Sequence, residues 1–391
     1  MITARAAERA HALTELPAYV YDLTALATHA GAVRAALPPS VELYYAAKAN
    51  PAPELLEALA PHVSGFEVAS GGELAHVRTA APGVPLAFGG PGKTEDEIGA
   101  ALEAGVERFH VESEQELRLL AAVASPRRAV EVLLRVNLPL DAAELGGAAL
   151  AMGGRPSPFG LDPDRVEACL PLFAGGGPLR LRGIHAHLAS GLDAGAQLAV
   201  ATRIADWTRD FEARHGLDLT EVGVGGGMAV DYARPAERFD WTAYGEGLRA
   251  LADRHPRRTL RVEPGRALTA YCGWYVTDVL DIKHSHGEPF AVLRGGTHHM
   301  RTPAAKSHSH PFTVLANETW TRPWPRPGVR DTPVTLVGQL CTPKDVLAAR
   351  AHVPELRVGD RVAFALAGAY AWNISHHDFL MHPPPSFHYL T

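Results

Sequence analysis

Eight short apolar runs of strand character recur between residues 43 and 263: "LYYAA" (43–47), "GFEVA" (65–69), "PLAF" (85–88), "RFHVE" (108–112), "EVLLRVN" (131–137), "GIHAHL" (183–188), "EVGVGGG" (221–227) and "LRVE" (260–263). The stretches between them include "PAPELLEALA", "SGGELAHVRTA", "TEDEIGAALEAG" and "SEQELRLLAAVA", in which Leu, Ile and Ala recur at spacings of three and four. Each opens on Pro, Ser, Gly or Thr and several carry an early Glu, the start signals of an amphipathic helix. Strand then helix, eight times, predicts an α/β fold built on a parallel (β/α)8 barrel.

From about Tyr271 the rhythm changes. "YCGWYVTDVLDIK", "PFAVLRGG", "PFTVLAN", "TPVTLVG" and "DRVAFALAG" are strand-like runs separated by Pro, Gly and Asp, with almost no helical periodicity. The expected division is a barrel over 30–270 and a second, β-barrel or sandwich domain made of 1–29 and 271–391, with "AYVYDL" adding an amino-terminal strand. The 391 residues suit this, since such a barrel occupies about 250. Within the barrel half, "LPLDAAELGGAALAMGGRPSPFG" (138–160) reads as a long mobile loop.

Composition narrows the partners. With 47% hydrophobic and 20% charged residues the chain can bury a substantial core. A formal charge of −6 and no long basic run argue against nucleic acid and for a small-molecule partner. Three widely separated cysteines, Cys169, Cys272 and Cys341, are no disulfide framework. The amino terminus lacks the apolar core of a signal peptide and no stretch reads as a membrane span, so a cytoplasmic protein is expected.

In such barrels the active site lies at the carboxyl ends of the strands. There the sequence puts Lys48, then His187 and Ser190 of "HAHLASG", the glycine run of "GVGGGM", and Glu263 and Arg266 of "VEPGR". Lysine is seldom buried unless paired or chemically used. Glycines after the seventh strand leave backbone N–H groups open to an anion, as phosphate sites of barrels require. A dinucleotide reading fails because Met228 interrupts the G-x-G-x-x-G pattern. Lysine, phosphate cradle, carboxylate and histidine together suit pyridoxal phosphate, whose aldehyde takes up an amine and whose ring accepts electrons. The stem of Lys48 is then expected to lie against apolar neighbours because its amine is in covalent use.

"YYAAKAN", "HAHLASG", "GVGGG", "VEPGR", "GQLCTPKD" and "AGAY", in this order, resemble the fold type III pyridoxal phosphate decarboxylases, the alanine racemase-like family of diaminopimelate and ornithine decarboxylase. The resemblance spans nearly the whole chain. It implies that Lys48 carries the cofactor, that His187 stacks on it, and that Glu263 pairs with its ring nitrogen. It also implies phosphate contacts from Gly225, Gly226 and Gly227, aided by Ser190, Gly265, Arg266 and Tyr370. A glutamate at 263 favours decarboxylation, since racemases of this fold place an arginine there. Cys341, the implied proton donor, and Asp345 match residues that reach the neighbouring subunit's site, so a homodimer is expected. Arg301 and Asp345 are expected at the remote end of the substrate.

"RTPAAKSHSH" replaces the Arg-Pro-Ala-Leu-Tyr run familiar in diaminopimelate decarboxylases, and the tail "AWNISHHDFLMHPPPSFHYL" is similar to decarboxylases of carboxylate-type siderophore pathways, which act on an amino acid joined to citrate. That branch is the expected function. Diaminopimelate decarboxylase, another free diamino-acid decarboxylase and a non-catalytic relative stand as alternatives. The twenty histidines show no i, i+4 helical pair or Cys-x-x-Cys partner, so no metal is expected. His308, His310, His376 and His377 are expected instead at the pocket rim, binding an anionic substrate.

Overall fold

The structure is a computed structural model that describes residues 2–126, 128–140, 150–174, 176–306 and 308–391. Two compact units share the chain: Ala27–Ala229 with Phe239–Leu268, and Met1–Leu26 with Val230–Arg238 and Thr269–Thr391. Among the described residues no helix is long and apolar enough to cross a membrane.

The first unit is the barrel. Its strands are β1 (Val41–Ala46), β2 (Gly65–Val68), β3 (Leu86–Phe88), β4 (Arg108–Val111), β5 (Val130–Arg135), β6 (Leu179–His185), β7 (Glu221–Gly223) and β8 (Thr259–Val262). All neighbours are parallel, and β8 pairs with β1 to close the ring. Each strand lies on one of the eight predicted runs. Helix starts follow their sequence signals: Ser70 and Ser113 accept from the backbone N–H three residues on, and Thr94 with Glu97 forms a full capping box. Fully buried Tyr45, Phe66, Phe88 and Phe109 pack strand against strand, Tyr45 edge-on to Phe66. At the amino-terminal ends of the strands the buried Glu221 carboxylate takes bidentate hydrogen bonds from Arg108, at 2.6 to 2.9 Å, with Arg182 and Arg261 alongside.

Residues 141–149, part of the predicted 138–160 loop, lie outside the described residues. Its described end is held in place. Leu150–Ala151 pairs antiparallel with Ala189–Ser190, and the Asn137 side chain accepts from Gly154 N–H at 2.6 Å while donating to Arg155 O.

The second unit is an eight-stranded sheet. Its main path runs Phe312–Leu315, Arg361–Phe364, Gly273–Ser285, Glu288–Leu293, Gly328–Val337, Val346–Arg357. Ala18–Asp22 joins it antiparallel to Gly273–Ser285, and Ser386–Leu390 pairs in parallel with Ala18–Asp22. Stacked rings tie the chain ends together: Tyr19 on Phe387 at 5.7 Å and Tyr21 on Tyr389 at 5.5 Å. The sequence patterns passed over two strands. Val346–Arg357 carries Ala-Ala-Arg and Pro354 and sits at an edge, where alternation is relaxed. Ser386–Leu390 is a short run whose partner is more than 360 residues away.

Gly183 marks a register shift where β5 meets β6, and it lies opposite Glu221 on β7. A Cβ there would collide with the Glu221 carbonyl. Gly183→Ala is therefore expected to destabilise the barrel by about 1–3 kcal/mol, measured as a lower urea midpoint in chemical denaturation.

Candidate functional site

Lys48 stands in the single helical turn Ala47–Ala49 directly after β1. Its side chain is 46% exposed. The amine is held by charge. Nζ donates to Glu67 at 2.7 and 3.1 Å, and Glu67 is buried on β2. Sequence reasoning missed Glu67. The strand register was the signal, because Ala46 sits opposite Glu67 and the turn that follows brings Lys48 over it.

Glu263 follows β8 directly, and its N–H donates to Gly225 O at 2.9 Å. The carboxylate is 6% exposed and lies between two buried imidazoles. His185 Nε2 is 2.9 Å from Oε2, and His110 Nε2 is 3.7 Å from Oε1. An ionised carboxylate only accepts, so His185 must carry its proton on Nε2. Burial alone would raise the Glu263 pKa, but the adjoining His185 and His110 outweigh it and hold the group well below the usual carboxylate range. His110 is driven far below the ordinary imidazole value, by burial first and then by His185. The donor atoms of His110, His185 and Glu263 lie within 4.8 Å of one another, a metal-like spacing that the histidine pairs in the sequence do not reveal. His185 Nε2 is already spent on the carboxylate, so His185 and Glu263 are a hydrogen-bonded pair in this structure with the His110 ring stacked beside them.

The glycine run closes the same end of the barrel. Gly225 and Gly227 have φ of +66° and +101°, a region open to glycine. A Cβ on Gly226 would strike Glu263 O, and one on Gly227 would strike Ala189 O. Gly226 N–H donates to His187 Nδ1 at 3.1 Å, Gln197 donates to Gly226 O, and Gly191 and Leu192 N–H groups donate to Gly227 O. His187 is partly exposed and its pKa falls to about 3, through burial, then Arg135 and Lys48. Nδ1 accepting from Gly226 fits a neutral ring. Ser190 and Arg266 are partly buried and Gly265 is buried.

The remaining predicted residues belong to the second unit. Cys341 is exposed, as are Arg301 and His376. Tyr370 is partly buried at φ +49°. Asp345 does not fit the substrate contact expected of it. It is 2% exposed and its carboxylate is consumed by Thr297 N–H at 2.7 Å and Leu340 N–H at 2.9 Å, which pins the loop carrying Cys341. Nor do the four histidines make one rim. His308 and His310 stack near Tyr232 and line a cavity of about 780 Å³ with Phe312, Val314 and Val353. His377 stacks on Trp372 at 3.5 Å, and His376 faces Phe379.

Residues 23–270 match the family model of the pyridoxal-dependent decarboxylases, pyridoxal binding domain. The chain belongs to that family. The decarboxylase is 39% identical, over 95% of its length and 94% of the relative's, to 2-[(L-alanin-3-ylcarbamoyl)methyl]-2-hydroxybutanedioate decarboxylase of Staphylococcus aureus. It is 30% identical, over 95% and 88%, to L-glutamyl-[BtrI acyl-carrier protein] decarboxylase of Niallia circulans. Among solved structures, diaminopimelate decarboxylase from Helicobacter pylori, complexed with L-lysine, aligns at a TM-score of 0.81 with 26% identity, over 94% of this chain and 90% of that one.

The decarboxylase uses pyridoxal phosphate, and the residues present fit it. A side-chain-free glycine cradle, a buried carboxylate held ionised, a neutral imidazole and an exposed amine meet at the carboxyl ends of β1, β6, β7 and β8. In the unfolded chain His110 and His187 would titrate near 6.5. Their lowered folded values make stability present above that pH and lost as pH falls below it, for His187 down to about 3, at up to ~1.4 kcal/mol per pH unit. His298 and His299 of the second unit, lowered to about 4 and about 3, act with the same sign. Glu263 adds its own loss only below about pH 4.5. The urea midpoint of the cofactor-free protein should begin to drop just below pH 6.5, and His187→Gln should flatten that slope.

Proposed function

We propose that the decarboxylase acts on an amino acid joined to citrate, removing the carboxylate next to the amine, in the making of a carboxylate-type siderophore. The observation that carries this reading is the 39% identity along almost the whole chain to the S. aureus enzyme, whose name describes such a conjugate. The N. circulans relative also acts on an amino acid attached to a larger body. "RTPAAKSHSH" and the histidine-bearing tail, which depart from the diaminopimelate pattern, support the same reading.

Pyridoxal phosphate supplies an aldehyde that takes up amines and a ring that accepts the electron pair left by carbon dioxide. Gly225, Gly226 and Gly227, with Ser190 and Arg266, would hold its phosphate on backbone N–H groups and charge. Lys48 provides the anchoring amine. Glu67 holds that amine and would steady its charged form when it is free. Glu263, kept anionic by His185, would pair with the ring nitrogen and hold a proton there. His187, neutral and tied to the glycine loop, would support the ring. Arg301 offers an exposed cation to a substrate carboxylate. Cys341 of a second copy of the chain donates the proton that replaces carbon dioxide.

The active unit in this reading is a homodimer. Ile374, Phe379, Leu380 and Met381 leave apolar side chains exposed on one short segment, Met381 by 89%. Leu380 and Met381 hold φ of +61° and +53°, a region costing a non-glycine residue roughly 1–2 kcal/mol. A second copy covering the segment would repay that exposure and strain.

Carbon dioxide release and product mass, measured on the loaded enzyme with diaminopimelate, ornithine, lysine, diaminopropionate and citryl-diaminopropionate, test the substrate. Turnover of the citrate conjugate is expected; turnover of diaminopimelate instead would return the enzyme to lysine synthesis. Lys48→Ala should lose the cofactor on dialysis and all turnover. Cys341→Ala should lower kcat by about 10²–10⁴-fold. Mixing the two inactive variants should restore a fraction of activity if sites are shared between copies, and none if they are not.

A further inference from the structure

The barrel's interior has a polar layer that the sequence motifs do not contain. Side chains filling such barrels come in layers of four, contributed by alternate strands and usually branched and apolar. At the carboxyl end here the even strands give Glu67 (β2), His110 (β4), His185 (β6) and Glu263 (after β8), each 6% exposed or less. Their contacts run in order. A Cβ built on Gly89 would lie 2.8 Å from Glu67 Oε1 and 3.6 Å from His110 Nδ1, so those two atoms flank one spot. His110 stacks on His185 with ring centres 4.1 Å apart and planes 14° apart. His185 then bonds Glu263 at 2.9 Å. Gly223 on β7 makes room for the stack, since a Cβ there would lie 2.6 Å from His185 Cδ2.

In this layer His110 is the residue without a described task. Neither of its ring nitrogens has a hydrogen-bond partner among the described residues, although the side chain is 1% exposed. A polar ring buried without hydrogen bonds costs stability, and an apolar ring of the same shape would avoid that cost. Its placement answers the question. One face supports His185, and Nε2 points at the second oxygen of Glu263 at 3.7 Å. The other charges acting on this group are Arg261 and Lys93.

We propose that His110 is a positioning residue for Glu263: by stacking on His185 and flanking the free carboxylate oxygen, it keeps that carboxylate ionised and aimed at the cofactor's ring nitrogen. The proposal rests on the reading that Glu263 partners that nitrogen. His185 must present Nε2–H to Oε2, and the stacked ring restrains the plane in which it does so. With its proton on Nε2, the edge of His110 turns an N–H dipole toward Oε1. With both oxygens flanked by N–H edges the ionised form is favoured, and a protonated ring nitrogen is the better electron acceptor.

The test uses the enzyme loaded with pyridoxal phosphate labelled with ¹⁵N in the ring, and reads ring-nitrogen protonation by NMR across pH. Glu263→Gln is the control: it should abolish the protonated signal, and if it does not, the partner reading of Glu263 fails and the proposal with it. Given that control, His110→Phe, which keeps a stacking ring but no N–H, should lower the ring nitrogen's apparent pKa by about one unit, a tenfold change in its protonated ratio. The kcat should fall with it while KM holds. His110→Gln, which restores an N–H, should recover most of both. If His110→Phe does not fold or load, His110→Met is measured in its place by the same criterion. Ring-nitrogen protonation and kcat unchanged in the nitrogen-free variant would overturn the proposal.

Discussion

The pairing of β8 with β1 is the contact on which the rest depends. Leu260, Arg261 and Val262 run beside Val41, Glu42 and Leu43, across more than 200 residues of chain. Arg261 secures the seam twice, bonding Glu42 at 2.6 Å and lying over the Tyr44 ring at 4.2 Å. Just beyond the strands, Ala46 N–H reaches Pro264 O. Glu263 and Lys48 come to the same end of the barrel only through this closure. Parallel pairing of such distant segments gives no reward until the loop closes, so the site and the fold are won in one cooperative step.

Closure creates an interior that is apolar through most of its depth and charged at both ends. At the amino-terminal end Glu221 gathers Arg108, Arg182 and Arg261, paired charges that serve the frame. At the carboxyl end Glu67, His110, His185 and Glu263 form a layer less fully matched: Glu263 Oε1 and both His110 nitrogens lack hydrogen-bond partners among the described residues. Buried charge repays its desolvation only when its bonds are complete. Incomplete bonding is tolerable where a ligand's own charge completes the set, and a site that stabilises charge is built from such groups. Burial holds His110 and His187 neutral, while the imidazoles beside Glu263 hold it ionised against that same burial, so neighbouring groups in one layer take different charge states.

The second unit obeys a different logic. Its sheet joins both chain ends through stacked aromatics, and its loops carry Cys341, Arg301 and Tyr370. Asp345, buried under two backbone N–H groups, belongs to the scaffold that presents Cys341. The histidines that seem alike in sequence have different tasks: His310 packs beside Tyr232 and Phe364, while His377 stacks on Trp372.

Local chemistry made much of this protein legible in one dimension. Apolar runs of strand length, helix starts such as Thr94 with Glu97, and the glycines at 225–227 act through neighbours a few residues away, so the barrel, its polarity and the glycine turn after its seventh strand follow from sequence alone. Lys48, His187 and Glu263 were legible because they end strands whose order was clear. Contacts across the barrel were not. Glu67 and His110 sit inside "GFEVA" and "RFHVE", where a polar residue between apolar ones looks like ordinary alternation; only the shared layer of even strands makes them partners of Lys48 and Glu263. The burial of Asp345, the exposure of Lys48 and the parting of the four histidines into two groups were likewise decided by tertiary structure. Accessibility and hydrogen-bond partnership depend on what the fold brings within a few ångströms, and neighbours in sequence carry no record of that.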